Sequence, residues 1–188
     1  MKRWHTLSAG IILALLALGL FGPGVSCSAG SSCSPEDVLL DQDTLPGAWQ
    51  SEFGAVYLPA QDRLGARHAY HIFLERDDLT AQQTIYEYAS PLWARFHFWF
   101  DREVFFPSSW AWETLENPPA VDADRYRILC GDSEDEYLGR RCGALIQYGP
   151  YLSDFSTSID DETIQMEDFK QLVTTIDERF KRCEQQEP

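Results

Sequence analysis

Cationic residues are scarce in this chain: 15 lysines and arginines stand against 30 aspartates and glutamates, a formal charge of −15. Affinity for nucleic acid comes largely from lysine and arginine at phosphates, so a nucleic-acid partner is excluded. Anionic head groups are served no better, and any membrane attachment has to come from something other than a basic patch. Histidine is scarcer still, with four in 188 residues. The chain carries no Gly-x-Ser-x-Gly, no His-Glu-x-x-His, no phosphate-binding loop and no Gly-x-Gly-x-x-Gly. Each of those motifs places a nucleophile, a metal or a phosphate, and without them no catalytic class or cofactor is indicated. Apolar runs are short as well. Crossing a bilayer takes roughly 20 apolar residues, whereas Ile11–Phe21 offers eleven.

That run follows Lys2 and Arg3 and ends at Gly22-Pro23-Gly24, the layout of a secretory signal peptide. Gly24-Val25-Ser26-Cys27 then resembles a bacterial lipobox, in which small or aliphatic residues precede a cysteine that is diacylated. The resemblance implies a signal peptide over 1–26, a lipid such as palmitate on Cys27, and an exported protein held on the extracytoplasmic side of the cell membrane. Ordinary secretion is the alternative, because Gly24 and Ser26 also suit the general signal peptidase. A chain beginning at Cys27 loses two cations, Lys2 and Arg3, and moves from −15 to −17.

Five cysteines are present, Cys27, Cys33, Cys130, Cys142 and Cys183. An odd number in an exported protein leaves one thiol for a separate task. With Cys27 lipidated, four remain for two disulfides, and their spacing does not match zinc-ligand geometry. Three pairings are open. The preferred one joins Cys130 to Cys142 and Cys33 to Cys183, with loop-entropy contributions of roughly 3 and 5 kcal/mol.

The serine-rich stretch ending at Glu36 makes 27–36 a short tether. Residues 37–188 then form one domain with enough chain for a core. Arg67–Glu75 and Gln82–Ala89 predict an antiparallel hairpin across a polar turn, and Arg125–Cys130, Arg141–Tyr148 and Tyr151–Ser158 predict further strands. "SPLWARFHFWFDREVF" predicts a helix with Ser90 as N-cap and Pro91 at its first position. Leu92, Trp93, Phe96, Trp99, Phe100 and Val104 fall on its expected packed face, with His97 and Phe98 on the polar side. A second helix repeats Phe169, Leu172, Val173, Ile176, Phe180 and Cys183 on one face. The fold class expected is α+β: an antiparallel sheet packed by two amphipathic helices on a face, stapled by disulfides. In architecture this is similar to extracytoplasmic sensor domains of mycobacterial kinases and related small lipoproteins.

Candidate sites are few. His68 and His71 stand three apart on a strand and point to opposite faces, so on a regular strand they cannot chelate one metal together; only a bulge would bring them to one side. Asp132, Glu134, Asp135 and Glu136, and likewise Asp160, Asp161 and Glu162, read as solvated loops. Trp93–Trp112 holds nine aromatics in twenty residues, of which Phe105, Phe106, Trp110 and Trp112 have no clear periodicity. These four are the candidate lining of a ligand cleft, with packing over the core as the alternative. The expected function is a membrane-anchored extracytoplasmic binding, sensor or interaction module, its partner a small ligand or an envelope protein. An envelope hydrolase with paired carboxylates among Glu113, Glu116, Asp122 and Asp124 is the enzymatic alternative. A structural surface protein is the third.

Overall fold

The computed structural model describes residues 34–59, 63–77, 79–132, 139–160, 162 and 164–185. The expected signal peptide, Cys27, Cys33 and most of the acidic loop after Asp132 lie outside the described residues. The sheet, its helices and both cores belong to one compact unit, Ser31–Pro188.

A short helix α1 (Pro35–Val38) leads into β1 (Val56–Leu58), β2 (Ala66–Arg76) and β3 (Leu79–Tyr88). Helix α2 (Pro91–Phe105) and β4 (Ala111–Thr114) follow, then β5 (Arg125–Asp132), β6 (Arg140–Tyr148), β7 (Tyr151–Ile159) and helix α3 (Met166–Gln185). The strands make one antiparallel sheet in the order β1-β2-β3-β7-β6-β5-β4. The expected hairpin and the three later strands are present. β4 and α1 were not anticipated, the first hidden in a proline-rich stretch and the second inside the expected tether. Ser34 caps α1: its hydroxyl accepts from Glu36 N–H while the Asp37 carboxylate accepts from Ser34 N–H.

Alternation along the strands sends side chains to both faces, and each face carries a helix. On one side α1 and α3 cover Ile72, Leu74, Ile85, Ile128, Ala144, Ile146 and Phe155. Helix α3 buries Phe169, Leu172, Val173, Ile176 and Phe180, the stripe expected for it. On the other side α2 covers Tyr88, Leu129, Leu145 and Leu152 through Ala94 and Phe98. The helices thus lie on opposite faces, not on one as expected. Central strands such as β6 are apolar on both sides and need two covers.

Cys130 lies directly across from Cys142 in the β5–β6 register, and the two are joined as a disulfide. Cys183 is also disulfide-bonded. Two buried polar groups tie helices to the sheet. Gln83 accepts from Leu40 N–H at 2.7 Å and donates to Ser153 at 3.2 Å. Asp177 of α3 accepts from Tyr148 O–H at 2.7 Å and from Asp122 N–H at 2.9 Å, and Lys181 neutralises it at 2.8 Å.

Candidate functional site

Helix α2 lies on the sheet with the reverse of the expected face. Ala94, His97 and Phe98 are its buried residues, Phe98 being 5 % exposed. Leu92 and Val104 are each 72 % exposed, Phe100 64 %, and Phe96 and Trp99 each 51 %. The expected packed face is therefore largely an outward apolar stripe. Sequence reasoning missed it because α2 is apolar almost all round, so helical spacing alone cannot choose the inward side. Close approach decides. Ala94 is small and fully covered, and Gly143 of β6 leaves room for the rings at the C-terminal end of α2. A Cβ at Gly143 would meet Phe105 at 2.9 Å and Phe106 at 3.1 Å.

The inward polar residues of α2 explain how this orientation is tolerated. His97, expected on the solvated surface, packs flat on Tyr88 with ring centres 4.8 Å apart. Its Nε2 meets the Leu64 carbonyl at 2.9 Å, and its Nδ1 faces Asp101 at 3.6 Å. Asp101 pairs with Arg63, whose guanidinium lies 3.9 Å from the centre of the Tyr86 ring. Arg63 pairs with Asp101 and offsets part of the cost of holding its carboxylate beneath the helix. Beyond this group Asp154 accepts from Thr84 N–H at 3.1 Å. Burial pushes its carboxyl up to about 6, against the opposing pull of Thr84 and Arg63. Burial also raises the Tyr86 phenol to about 12 and lowers the His71 imidazole. The cluster holds α2 to the sheet through the Arg63–Asp101 pair and the His97–Leu64 contact, while the buried Tyr88 hydroxyl and His97 Nδ1 find no hydrogen-bond partner among the described residues.

The outer surface of α2 has a charge character unlike the rest of the chain. Arg95 and Arg102 flank the stripe on one side, and Glu103, bonded to Arg102 at 2.9 Å, is the acidic residue that faces out with them. Arg102 also sits 5.2 Å from the Trp99 ring centre. Apolar rings bordered by arginine are enriched where proteins meet partners. A row this long on one helix exceeds the scattered surface hydrophobics of an ordinary monomer.

Phe105, Phe106, Trp110 and Trp112 come together, as a packed ring cluster at the β5–β6 end of the same face. Phe106 meets Phe105 and Trp112 edge-on at 4.8 and 5.1 Å, and Trp110 stacks on Trp112 at 5.2 Å. Trp112 Nε1 donates to the Pro107 carbonyl, so the indole N–H is satisfied. Phe106 is fully covered, whereas Phe105, Trp110 and Trp112 keep partial exposure.

A groove of about 410 Å³ opens elsewhere, between β4, the segment after it and α3. Glu113, Glu116, Arg140 and Lys170 line it with Met166 and Cys130. Two of the four carboxylates considered for hydrolysis thus share a groove. The other two are engaged apart from it: Asp124 accepts from Gly149 N–H at 2.7 Å, and Asp122 lies beside Asp177 and Lys181. His68 lies near Tyr57, and His71 bonds Thr84 at 3.1 Å. Among the described residues no group of three or more His, Cys, Asp or Glu is placed to hold a metal ion. Nor is any described helix long and apolar enough to cross a membrane.

No family model matches the sequence. Among curated proteins no relative was found. Among solved structures the chain is similar to the crystal structure of the extracellular domain of PknH from Mycobacterium tuberculosis, at 10% sequence identity. The alignment covers 77% of this chain and 93% of that one, with a TM-score of 0.48. No functional statement about this chain follows from a likeness at that level.

Proposed function

We propose that the protein is an exported, membrane-anchored interaction module, without chemistry of its own, that engages its partner through the outer face of α2. One observation carries the reading: Leu92, Phe96, Trp99, Phe100 and Val104 form an uncovered apolar row on a helix whose opposite side is fully packed. Exposing this much apolar surface is unfavourable at about 25 cal/mol per Å², which a docked partner recovers. The signal-like N-terminus, the lipobox-like Gly24–Cys27 and the absence of catalytic motifs support the remaining elements of the proposal. A lipid on Cys27 would hold the module at the membrane. The eight residues from Cys27 to Ser34 reach no more than about 29 Å.

The reading is tested in native membranes by a photoreactive phenylalanine analogue placed singly at Phe96, Phe100 or Tyr126. Tyr126 is exposed but belongs to the strand parity that faces α3. Cross-linked adducts at positions 96 and 100, and none at 126, are expected. Adducts from the groove at Glu113 or Lys170 with none from α2 would move the site there and revive the hydrolase alternative. Intact mass of the same material settles the anchor, through a diacylglycerol increment on a chain beginning at Cys27.

A further inference from the structure

We infer that the outer face of α2 is the interface of a two-fold homodimer, a proposal that rests on reading this face as the docking surface. The occupant follows from area and charge. Rings bury roughly 150–250 Å² each, so the exposed parts of Phe96, Trp99 and Phe100 amount to about 330 Å². Leu92 and Val104, each 72 % exposed, add roughly 170 Å² more. Two copies facing each other would bury about 1,000 Å², the size of a weak, reversible interface.

Charge selects the same face. Each chain carries −15, so two copies repel over most of their surfaces. On the outer side of α2 two arginines, Arg95 and Arg102, stand against one glutamate, Glu103, a local excess of one positive charge. Arg95 has no ion pair among the described residues. Arg95 and Glu103 lie four residues either side of Trp99, about 6 Å along the axis in each direction. A two-fold axis beside Trp99 sets the helices antiparallel and brings each Arg95 alongside Glu103 of the second copy. The stripe is therefore complementary to itself in charge.

The test is sedimentation velocity on the compact unit from Ser31 onward, from micromolar to millimolar concentration and at low and high salt, with non-reducing electrophoresis excluding a covalent dimer. A monomer–dimer equilibrium is expected, tightening as salt screens the net repulsion. Trp99→Ser should weaken it by about 30-fold, as for a tryptophan at an interface centre, with thermal unfolding of the monomer unchanged. Arg95→Glu should weaken it, and Arg95→Glu with Glu103→Arg should restore it. A wild-type chain that stays monomeric at millimolar concentration overturns the proposal. So does a dimer that survives Trp99→Ser with Phe100→Ser, since it must use another face. A monomer that floats with phosphatidylglycerol vesicles in a Trp99-dependent, salt-weakened manner assigns the face to lipid instead. A monomer that still gives α2 cross-links to another protein overturns the dimer and leaves the docking reading intact.

Discussion

Phe98 and Phe100 differ by two positions on one helix, and the structure gives them opposite energetic weights. Phe98 is 5 % exposed among Tyr88, Leu145 and Leu152, whereas Phe100 is 64 % exposed with the Phe96 ring stacked 6.1 Å away. Truncating a buried phenylalanine to alanine costs about 3–5 kcal/mol, from lost transfer energy and the cavity left behind. At Phe100 about 70 Å² of ring is covered, mostly by its own helix, and alanine's better helix propensity returns roughly 0.5 kcal/mol. The net cost there is about 1 kcal/mol or less. Urea unfolding followed by far-UV circular dichroism reads both values directly. In a domain of this size each kcal/mol moves the midpoint temperature by about 2–4 °C. Phe98→Ala should thus lower Tm by roughly 6–20 °C, and Phe100→Ala by no more than about 4 °C. Equal losses at the two positions, or a larger one at Phe100, would refute the orientation of α2 and everything built on its outer face.

Three further outcomes follow from the packed interior. Asp154→Asn should raise stability at pH 7 by about 2 kcal/mol and change little near pH 4. The reason is one of sign: burial raises the folded carboxyl to about 6, above its ordinary 3.8, so its favourable protonated contribution is complete below the lower value and lost as pH climbs through the upper. Urea melts across pH 4–7 check it, and parallel profiles for the two proteins would count against the assignment. Asp177→Ala strands the Tyr148 hydroxyl and Asp122 N–H and leaves Lys181 without its carboxylate, and should cost about 3–5 kcal/mol in the same assay. Replacing Cys130 and Cys142 together by alanine opens a short loop and should cost about 3 kcal/mol; an unchanged midpoint would show that the cross-link adds nothing to a register the strands already hold.

Much of the fold was legible in the sequence, for local reasons. Alternation with β-formers marked β2, β3 and β5–β7, and the proline and glycine punctuation bounded them. The apolar stripe from Phe169 to Phe180 is separated by charged residues that cannot be buried together, so α3 had one possible inward side. β4 escaped because Ala111–Thr114 is too short and too exposed to show a period, and exists only by pairing with β5. Phe105, Phe106, Trp110 and Trp112 stand close in sequence, but the packing of Phe105 and Phe106 over Gly143 and of Trp112 over Gly131 depends on a sheet that only folding assembles.

For α2 the division is sharpest. The sequence alone determined that Pro91–Phe105 is a helix, because proline at its start and the run of helix-compatible residues set that by local energetics. It could not determine which side of that helix is the inside. With apolar residues on almost every side, the difference lies in how closely Phe105 and Phe106 approach Gly143, in how Ala94 and Phe98 pack with Leu145 and Leu152, and in whether Asp101 finds Arg63. Those partners are remote in the chain, and steric fit and charge neutralisation between them exist only in the assembled tertiary structure.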